Sequence, residues 1–457
     1  DLLAEQGKIR VVPALVLYHP SARVVLRALE LFLRGGRDDF LPIAERLVAH
    51  DDPRVAAAAL RALSVRSPRE DVLQRGLDHP AAEVAVTAAV GLAAGGWLDE
   101  PAVRARLEPV VGTGPASTRL ALLQALRAQP IATLADLAIR LVDAPDRRVR
   151  IEAVRAMRDL RSPASLAPLV GALARRELRS EARAALVAMG PIALARLEDG
   201  LEDPGQPAGV RRHVPHAIAA FGTVEAGELL ARHLIGADDG LVRFQVLRAL
   251  GRLRSQHPGI PIDPVVLHRA LEQTLALGFD FRRWRQALED GARGEPARAT
   301  VVHTLLVGLL RHKQGHSLER VFRLLNLLLN DEEYARIHHG LRSPRPASRA
   351  GSRELLEHLA PAAVRDPVLA LIDDLEDGGA ARPGTRVEDP HAFSTTLRQL
   401  IESPIESVSC LAAAHAGELG LRTLADVLAR RDTTSPQHRA VVERARHALA
   451  AEPPARA

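Results

Sequence analysis

The chain has 457 residues, of which 47% are hydrophobic and only 3% aromatic. Its core must therefore consist of Leu, Ala and Val, which suits thin layers of helices better than a sandwich or a barrel. The formal charge is only +5, from 61 basic and 56 acidic residues, although 59 of the basic residues are arginine. Cys410 is the single cysteine, which excludes a disulfide framework and a thiolate metal cluster.

A nine-residue phrase, such as VAAAALRAL at Val55, recurs along the chain. Its copies begin at Ser21, Val55, Val84, Thr118, Val149, Glu181, Val210 and Val242, 29 to 34 residues apart. Later copies begin at Ser348 and Val408. Most copies place apolar or small residues at the first, fifth, sixth and ninth positions, the spacing of one helix face. Such a fixed period is the signature of a repeat protein.

A second amphipathic segment lies about half a repeat before each phrase, as in FLPIAERL at Phe40 and SLAPLVGAL at Ser165. Capping and helix-breaking residues such as Asp52–Pro53 and Pro145–Asp146 separate the two segments. A helix, a capped turn and a second helix cannot bury their apolar faces alone, whereas a stack of such units can. The sequence therefore predicts an all-α fold, an α-solenoid of stacked two-helix repeats.

The Asp–Pro turn followed by Val-Arg and then by Ala and Leu resembles the short bacterial HEAT repeat, which implies an ARM-like superhelix. Asp146 and Arg150, like Asp239 and Arg243, are four residues apart. In that family such residues tend to form a ladder between repeats. We therefore predict a structural ladder for these four residues rather than ligand binding.

The organisation changes along the chain. Residues 1–255 are predicted to form the regular HEAT-repeat array, and residues 256–375 a less regular part that continues the solenoid. Helices in this second part are predicted to start near Pro264, Phe281, Arg298, Ser317, Asp331 and Ser348. Residues 376–390 lack apolar periodicity and are predicted to be a linker. A C-terminal helical repeat pair is predicted over 391–450, and a disordered tail over 451–457.

Three stretches resemble the HEAT-repeat region that follows the membrane domain of bacterial ATP/ADP-carrier-like, major-facilitator-type proteins. They begin VVPALVLYHP at Val11, SLERVFRLLN at Ser317 and LIESPIESVS at Leu400. The membrane domain and the substrate-binding residues of a transporter are absent from these residues, so the resemblance does not assign nucleotide transport. It implies the cytoplasmic part of a larger protein, and the first residue, Asp1 rather than Met, agrees with a fragment or a processed product. The longest apolar run, 301–310, is about half the roughly 20 residues that a membrane span needs.

Trp284 lies among Arg282, Arg283 and Arg285, the densest aromatic–basic cluster of the chain. Such a cluster can contact a protein partner, an anionic lipid surface or nucleic acid. The alternative, which we favour, is that Phe281 and Trp284, three residues apart, lie on one buried face of a helix while the arginines extend into water.

The region 140–183 is rich in arginine and includes Arg147 and Arg148. On a solenoid these residues can form a ridge that attracts phosphate. Acidic residues lie among them, so a solvated face is favoured, while Arg147 and Arg148 remain candidates for contact with a partner.

The sequence contains no Gly-rich phosphate loop, no G-x-S-x-G elbow and no H-E-x-x-H motif. His213 with His216, and His312 with His316, could each place two ligands on one helix face. Neither pair has an evident third ligand. We therefore predict no catalytic residue, no metal, no cofactor and no small-molecule substrate.

We interpret the chain as a non-catalytic protein-interaction or regulatory scaffold in the cytoplasm, at the cytoplasmic face of the inner membrane if it belongs to a transporter-like protein. Its partner would be another protein or its own membrane domain, bound through the faces of successive helices. Two alternatives stay open: a free-standing soluble adaptor, and a nucleic-acid-binding solenoid that uses the arginine ridge.

Overall fold

The computed structural model describes residues 9–203, 205–236, 240–329, 333–376, 391–433 and 435–450, and these ranges contain helices and turns but no strand. The chain forms two compact units, Asp1–Phe221 and Gly222–Ala457, called unit 1 and unit 2 below. The predicted fold class, an all-α solenoid, is confirmed.

Two short 3₁₀ turns, Ile9–Val11 and Ala14–Tyr18, precede the α-helices of unit 1. Those helices are α1 (Ala22–Arg34), α2 (Leu41–Leu47), α3 (Pro53–Arg66), α4 (Glu70–Leu77), α5 (Ala82–Ala94), α6 (Glu100–Thr113), α7 (Ala116–Ala128), α8 (Ala135–Arg140), α9 (Arg147–Leu160), α10 (Leu166–Ala172), α11 (Arg179–Met189), α12 (Pro191–Glu202), α13 (Ala208–Arg211) and α14 (Val214–Ala219).

The recurring phrases form one row of unit 1, in which α1, α3, α5, α7, α9 and α11 each pack against the next. The intervening even-numbered helices lie against this row. Aspartates begin two of the row's helices as predicted: Asp52 accepts a hydrogen bond from the Arg54 amide at 2.9 Å, and Asp146 accepts one from the Arg148 amide at 2.7 Å. The caps fix where each second helix starts.

Helix α5 is buried on almost every side, as its apolar sequence AEVAVTAAVGLAA predicts for a helix without a polar face. Its side chains are so small that α3 and α7, on either side of it, also contact each other. Gly91 shows how tight this packing is, because a Cβ there would lie 2.9 Å from Leu73 Cδ2 and 3.1 Å from Ser64 Cβ.

Unit 2 combines short helices with two long ones. Its helices are α15 (Val224–Gly236), α16 (Gly240–Gln256), α17 (Pro264–Gly294), α18 (Val301–Leu329), α19 (Glu333–Leu341), α20 (Pro346–Leu359), α21 (Ala362–Glu376), α22 (Ala392–Glu402), α23 (Glu406–Glu418), α24 (Ala425–Arg430) and α25 (Pro436–Ala450). Helices α17 and α18 pack along each other, and α21 contacts both. Helices α22 to α25 form a C-terminal block that shares a core with α17 and α18.

The separate helices predicted to start near Phe281 and Ser317 are wrong, because α17 and α18 run through these positions for 31 and 29 residues. Neither helix contains an internal proline that would stop it. Gly291 does not end α17 either; it lets α22 approach, since a Cβ there would lie 2.4 Å from the Phe393 ring.

Two predicted segments lie outside the described residues. Glu376 is the last residue of α21, and the remainder of the predicted linker, 377–390, is not described, nor is the predicted tail, 451–457. Across the described ranges, no helix has both the length and the apolar character needed to cross a bilayer.

Candidate functional surfaces

The two predicted ladder residues of α9 have different roles. Asp146 caps its own helix and lies 3.3 Å from the Arg148 guanidinium. Arg150 donates to the carbonyl oxygens of residues 144 and 145, at 2.9 and 2.7 Å, and forms an ion pair with Glu177 at 3.0 Å. Arg150 thus ties the end of the preceding helical turn to the next repeat, whereas Asp146 acts within one repeat.

Of the second predicted pair, Arg243 lies in the first turn of α16. Asp239 is outside the described residues. Arg243 lines a small pocket of unit 2 together with Arg320, Gln273 and Thr274. Burial first, and then the positive charge of Arg243, lower the pKa of Arg320, so the two guanidinium groups are close enough to repel each other.

Arginine–carboxylate pairs do connect repeats of unit 1, but through residues that the four-residue spacing missed. Four pairs are each separated by 32 residues, which is one repeat: Arg104–Asp136, Arg127–Asp159, Arg140–Glu108 and Arg175–Asp143. A search for opposite charges at the repeat period, rather than at helical spacing, would have found them.

The most buried of these pairs lies between α7 and α9. Arg127 contacts Asp159 at 2.8 Å and Glu152 at 2.5 Å, and the Glu152 side chain is only 9% exposed. Burial lowers the pKa of Arg127, but the two carboxylates raise it, and the net effect is a raised pKa. Nearby, burial lowers the pKa of Arg61 to about 10, and Arg61 donates to Gln124 at 3.0 Å. These contacts hold the small-residue helices of the row together.

The aromatic–basic cluster on α17 faces the protein interior more than the sequence indicated. The prediction that its arginines lie in water is wrong for Arg285, which is fully buried and lies 2.6 Å from Asp374. Arg282 approaches the same carboxylate at 3.3 Å. The reason is helical spacing, because Arg285 is four residues after the buried Phe281 and three before the buried Leu288.

Trp284 lies on the edge of this core. Its indole Nε1 donates to Gln399 Oε1 at 2.8 Å, and its ring meets the Phe281 ring edge-on, with centroids 5.8 Å apart. Arg283, whose side chain is 68% exposed, pairs with Asp280 at 2.9 Å. Of the four predicted contact residues on α17, Arg283 is therefore the one that presents most of its side chain to solvent.

Most side chains of the predicted arginine ridge are engaged within unit 1. Arg148 pairs with Asp146, Arg155 lies 3.1 Å from Glu181, and Arg175 contacts Asp143. Arg147 is exposed. The ridge is thus a surface of mixed charge.

The histidine pairs do not gain a third ligand. The Nε2 atoms of His312 and His316 are 3.1 Å apart. His216 Nδ1 lies 2.7 Å from an Arg183 nitrogen, and burial followed by nearby arginines lowers the pKa of His213. Neither pair belongs to a group of three metal-ligand side chains within the described ranges.

An apolar surface that sequence reasoning missed lies before α1. Val11, Leu15 and Tyr18 are 70%, 69% and 55% exposed, and are called the N-terminal patch below. Buried Arg37 fixes this segment by donating to the carbonyl oxygens of residues 9 and 12, at 2.8 and 2.5 Å, while stacking 4.2 Å from the Phe32 ring centroid. Three large, exposed apolar side chains within eight residues mark a candidate interaction site.

No protein-family model and no curated protein matches this chain. Among solved structures it is similar to yeast importin-beta (Kap95p), at 12% identity and a TM-score of 0.31, over 96% of this chain and 68% of that one. Two crystal structures of importin beta, from an ammonium sulfate and a polyethylene glycol condition, give 13% and 15% identity and TM-scores of 0.24 and 0.22. These matches cover 98% and 97% of this chain, which spans only 63% and 60% of those chains.

Proposed function

We propose that this chain is a non-catalytic protein-interaction scaffold, and that it is the cytoplasmic part of a larger transporter-like membrane protein. The observation that carries the proposal is the N-terminal patch. Val11, Leu15 and Tyr18 expose large apolar side chains, and Arg37 anchors the start of their segment through the carbonyl oxygens of residues 9 and 12.

The membrane domain of the same protein is the proposed occupant of the patch. The patch lies within the stretch VVPALVLYHP, which resembles the segment just after the last membrane helix of ATP/ADP-carrier-like proteins. A scaffold whose first repeat packs against its own membrane domain would keep the later repeats available for other proteins.

The arginine chemistry favours this proposal over binding of nucleic acid. A phosphate-binding ridge needs guanidinium groups that release counterions when they meet phosphate. Arg150, Arg155 and Arg175 instead each contact a carboxylate of unit 1, so their charge is already largely neutralised.

Photocross-linking in the native membrane-bound protein tests the proposal. A photoreactive amino acid at Leu15 is expected to cross-link to a membrane-embedded segment, identified by mass spectrometry. The matched control is the same probe at Val265, an apolar residue of unit 2 that is 71% exposed. The proposal fails if Leu15 gives no membrane cross-link, or if Val265 gives the same one.

A further inference from the structure

Three metal-ligand side chains meet where α23 and α25 begin. Glu406 is the first residue of α23, Cys410 lies one turn later, and His438 is in the first turn of α25. A carboxylate oxygen, the thiol sulfur and an imidazole nitrogen from these residues all lie within 4.8 Å of one another. Spacing along the chain gave no sign of this group, because His438 is 28 residues beyond Cys410.

A buried serine sets the tautomer of His438. The Ser409 hydroxyl donates to the carbonyl oxygen of Ile401 at 2.6 Å, so it accepts a hydrogen bond from His438 Nε2 at 3.1 Å. The proton is therefore on Nε2, and the free lone pair is on Nδ1, for which the described residues offer no hydrogen-bond partner. His438 is only 4% exposed. In metal sites, a histidine ligand usually donates the N–H on the far side of its ring to an oxygen, and this hydrogen bond orients the ring.

The donor set suits zinc. Thiolate, imidazole and carboxylate are the three ligand types that Zn²⁺ uses, and a tetrahedral ion can take water as its fourth ligand. Burial lowers the pKa of His438, which keeps the ring in the neutral form that binds metals.

The guanidinium of Arg431 is a positive charge near this group, which disfavours a bound cation. It also lowers the pKa of His438 further. Arg431 is held away by the carbonyl oxygens of Glu402 and Ser403, at 3.4 and 2.7 Å. One thiolate and one carboxylate outweigh this single positive charge once a divalent ion has displaced the thiol proton.

We propose that Glu406, Cys410 and His438 bind a zinc ion, which ties the first turn of α23 to the first turn of α25. The ion would connect these two helices of the C-terminal block and keep one coordination position for water.

Titration of the chelator-treated protein with Zn²⁺ and with Co²⁺ tests this site. Isothermal titration calorimetry is expected to show one equivalent of Zn²⁺ bound. The Co²⁺ complex is expected to show a near-ultraviolet sulfur-to-cobalt charge-transfer band.

Variants separate the site from adventitious binding. Cys410→Ser is expected to abolish the charge-transfer band, and Ser409→Ala to weaken Zn²⁺ binding by about 10- to 100-fold through loss of ring orientation. His447→Gln, at an exposed position of the same α25, is the matched control and should bind as the parent does. Circular dichroism of each apo-protein confirms that it is folded. Absence of stoichiometric binding to the parent, a Co²⁺ complex without a sulfur band, or equal binding by Cys410→Ser would overturn the proposal.

Discussion

The buried carboxylate of Asp374 offers the sharpest test of how unit 2 is held together. It accepts hydrogen bonds from Arg285 at 2.6 Å, Gln314 at 2.8 Å and Gln286 at 3.1 Å. These side chains come from α17, α18 and α21, so one carboxylate joins three helices. Arg285 and Gln314 are fully buried, and Asp374 is 8% exposed.

Asp374→Asn is expected to lower the free energy of unfolding of unit 2 by about 3 kcal/mol. Breaking a buried ion pair by removing one partner costs about 3–5 kcal/mol, because the other charge stays buried. The lower end applies because Arg285 keeps a second carboxylate, Glu289, at 2.9 Å. Arginine is not deprotonated in proteins, so the buried guanidinium cannot escape the cost by losing its proton.

Urea unfolding followed by tryptophan fluorescence measures this effect. Trp97 lies in unit 1 and Trp284 in unit 2, so a Trp97→Phe background makes fluorescence report on unit 2 alone. The neighbouring Asp373→Asn is the matched control. Asp373 pairs with Arg353 at the surface, with side chains 29% and 35% exposed, so its loss should cost less than about 1 kcal/mol.

The comparison of the two asparagine variants decides the outcome. If Asp374→Asn and Asp373→Asn lower the free energy of unfolding equally, or if Asp374→Asn costs less than about 1 kcal/mol, the buried carboxylate does not fasten the three helices. The reasoning from burial and hydrogen bonding would then be refuted.

Two further predictions concern packing and pH. Gly91→Ala should destabilise unit 1 by about 1–3 kcal/mol in urea, because the new methyl group overlaps Leu73; Gly112→Ala, where a Cβ meets nothing within 4 Å, should instead stabilise it by up to about 1 kcal/mol. Burial lowers the pKa of His338 to about 4 from 6.5, so the unfolded chain gains a proton first and the stability of unit 2 should fall between pH 6.5 and 4. His338→Gln should reduce the dependence of the unfolding temperature on pH across that window, whereas His339→Gln, at an exposed position, should not. Equal pH profiles for both variants would contradict the burial of His338.

The sequence was sufficient for the fold because each repeat carries its own local signals. Six of the recurring phrases lie in α1, α3, α5, α7, α9 and α11, whereas the copy at Val210 is divided between the short helices α13 and α14. Asp52 and Asp146 cap helices where the turns were predicted. These features depend on residues at most a few positions apart, so they can be read from spacing.

The side-chain contacts depend on pairs that are distant in sequence, and local spacing missed them. The 32-residue pairs of unit 1 follow the repeat period rather than the helical period. Arg285 is on the buried face of α17, a position that helical spacing does indicate, but its partner Asp374 is 89 residues away. Cys410 and His438 are likewise brought together only by the packing of α23 against α25.

Fractionation of the native protein, followed by immunoblotting with an antibody against this chain, tests the central claim most directly. The account predicts a band well above 49.3 kDa, the mass of these 457 residues, in the membrane fraction. A soluble band near 49.3 kDa would contradict it and would make the chain a free-standing adaptor.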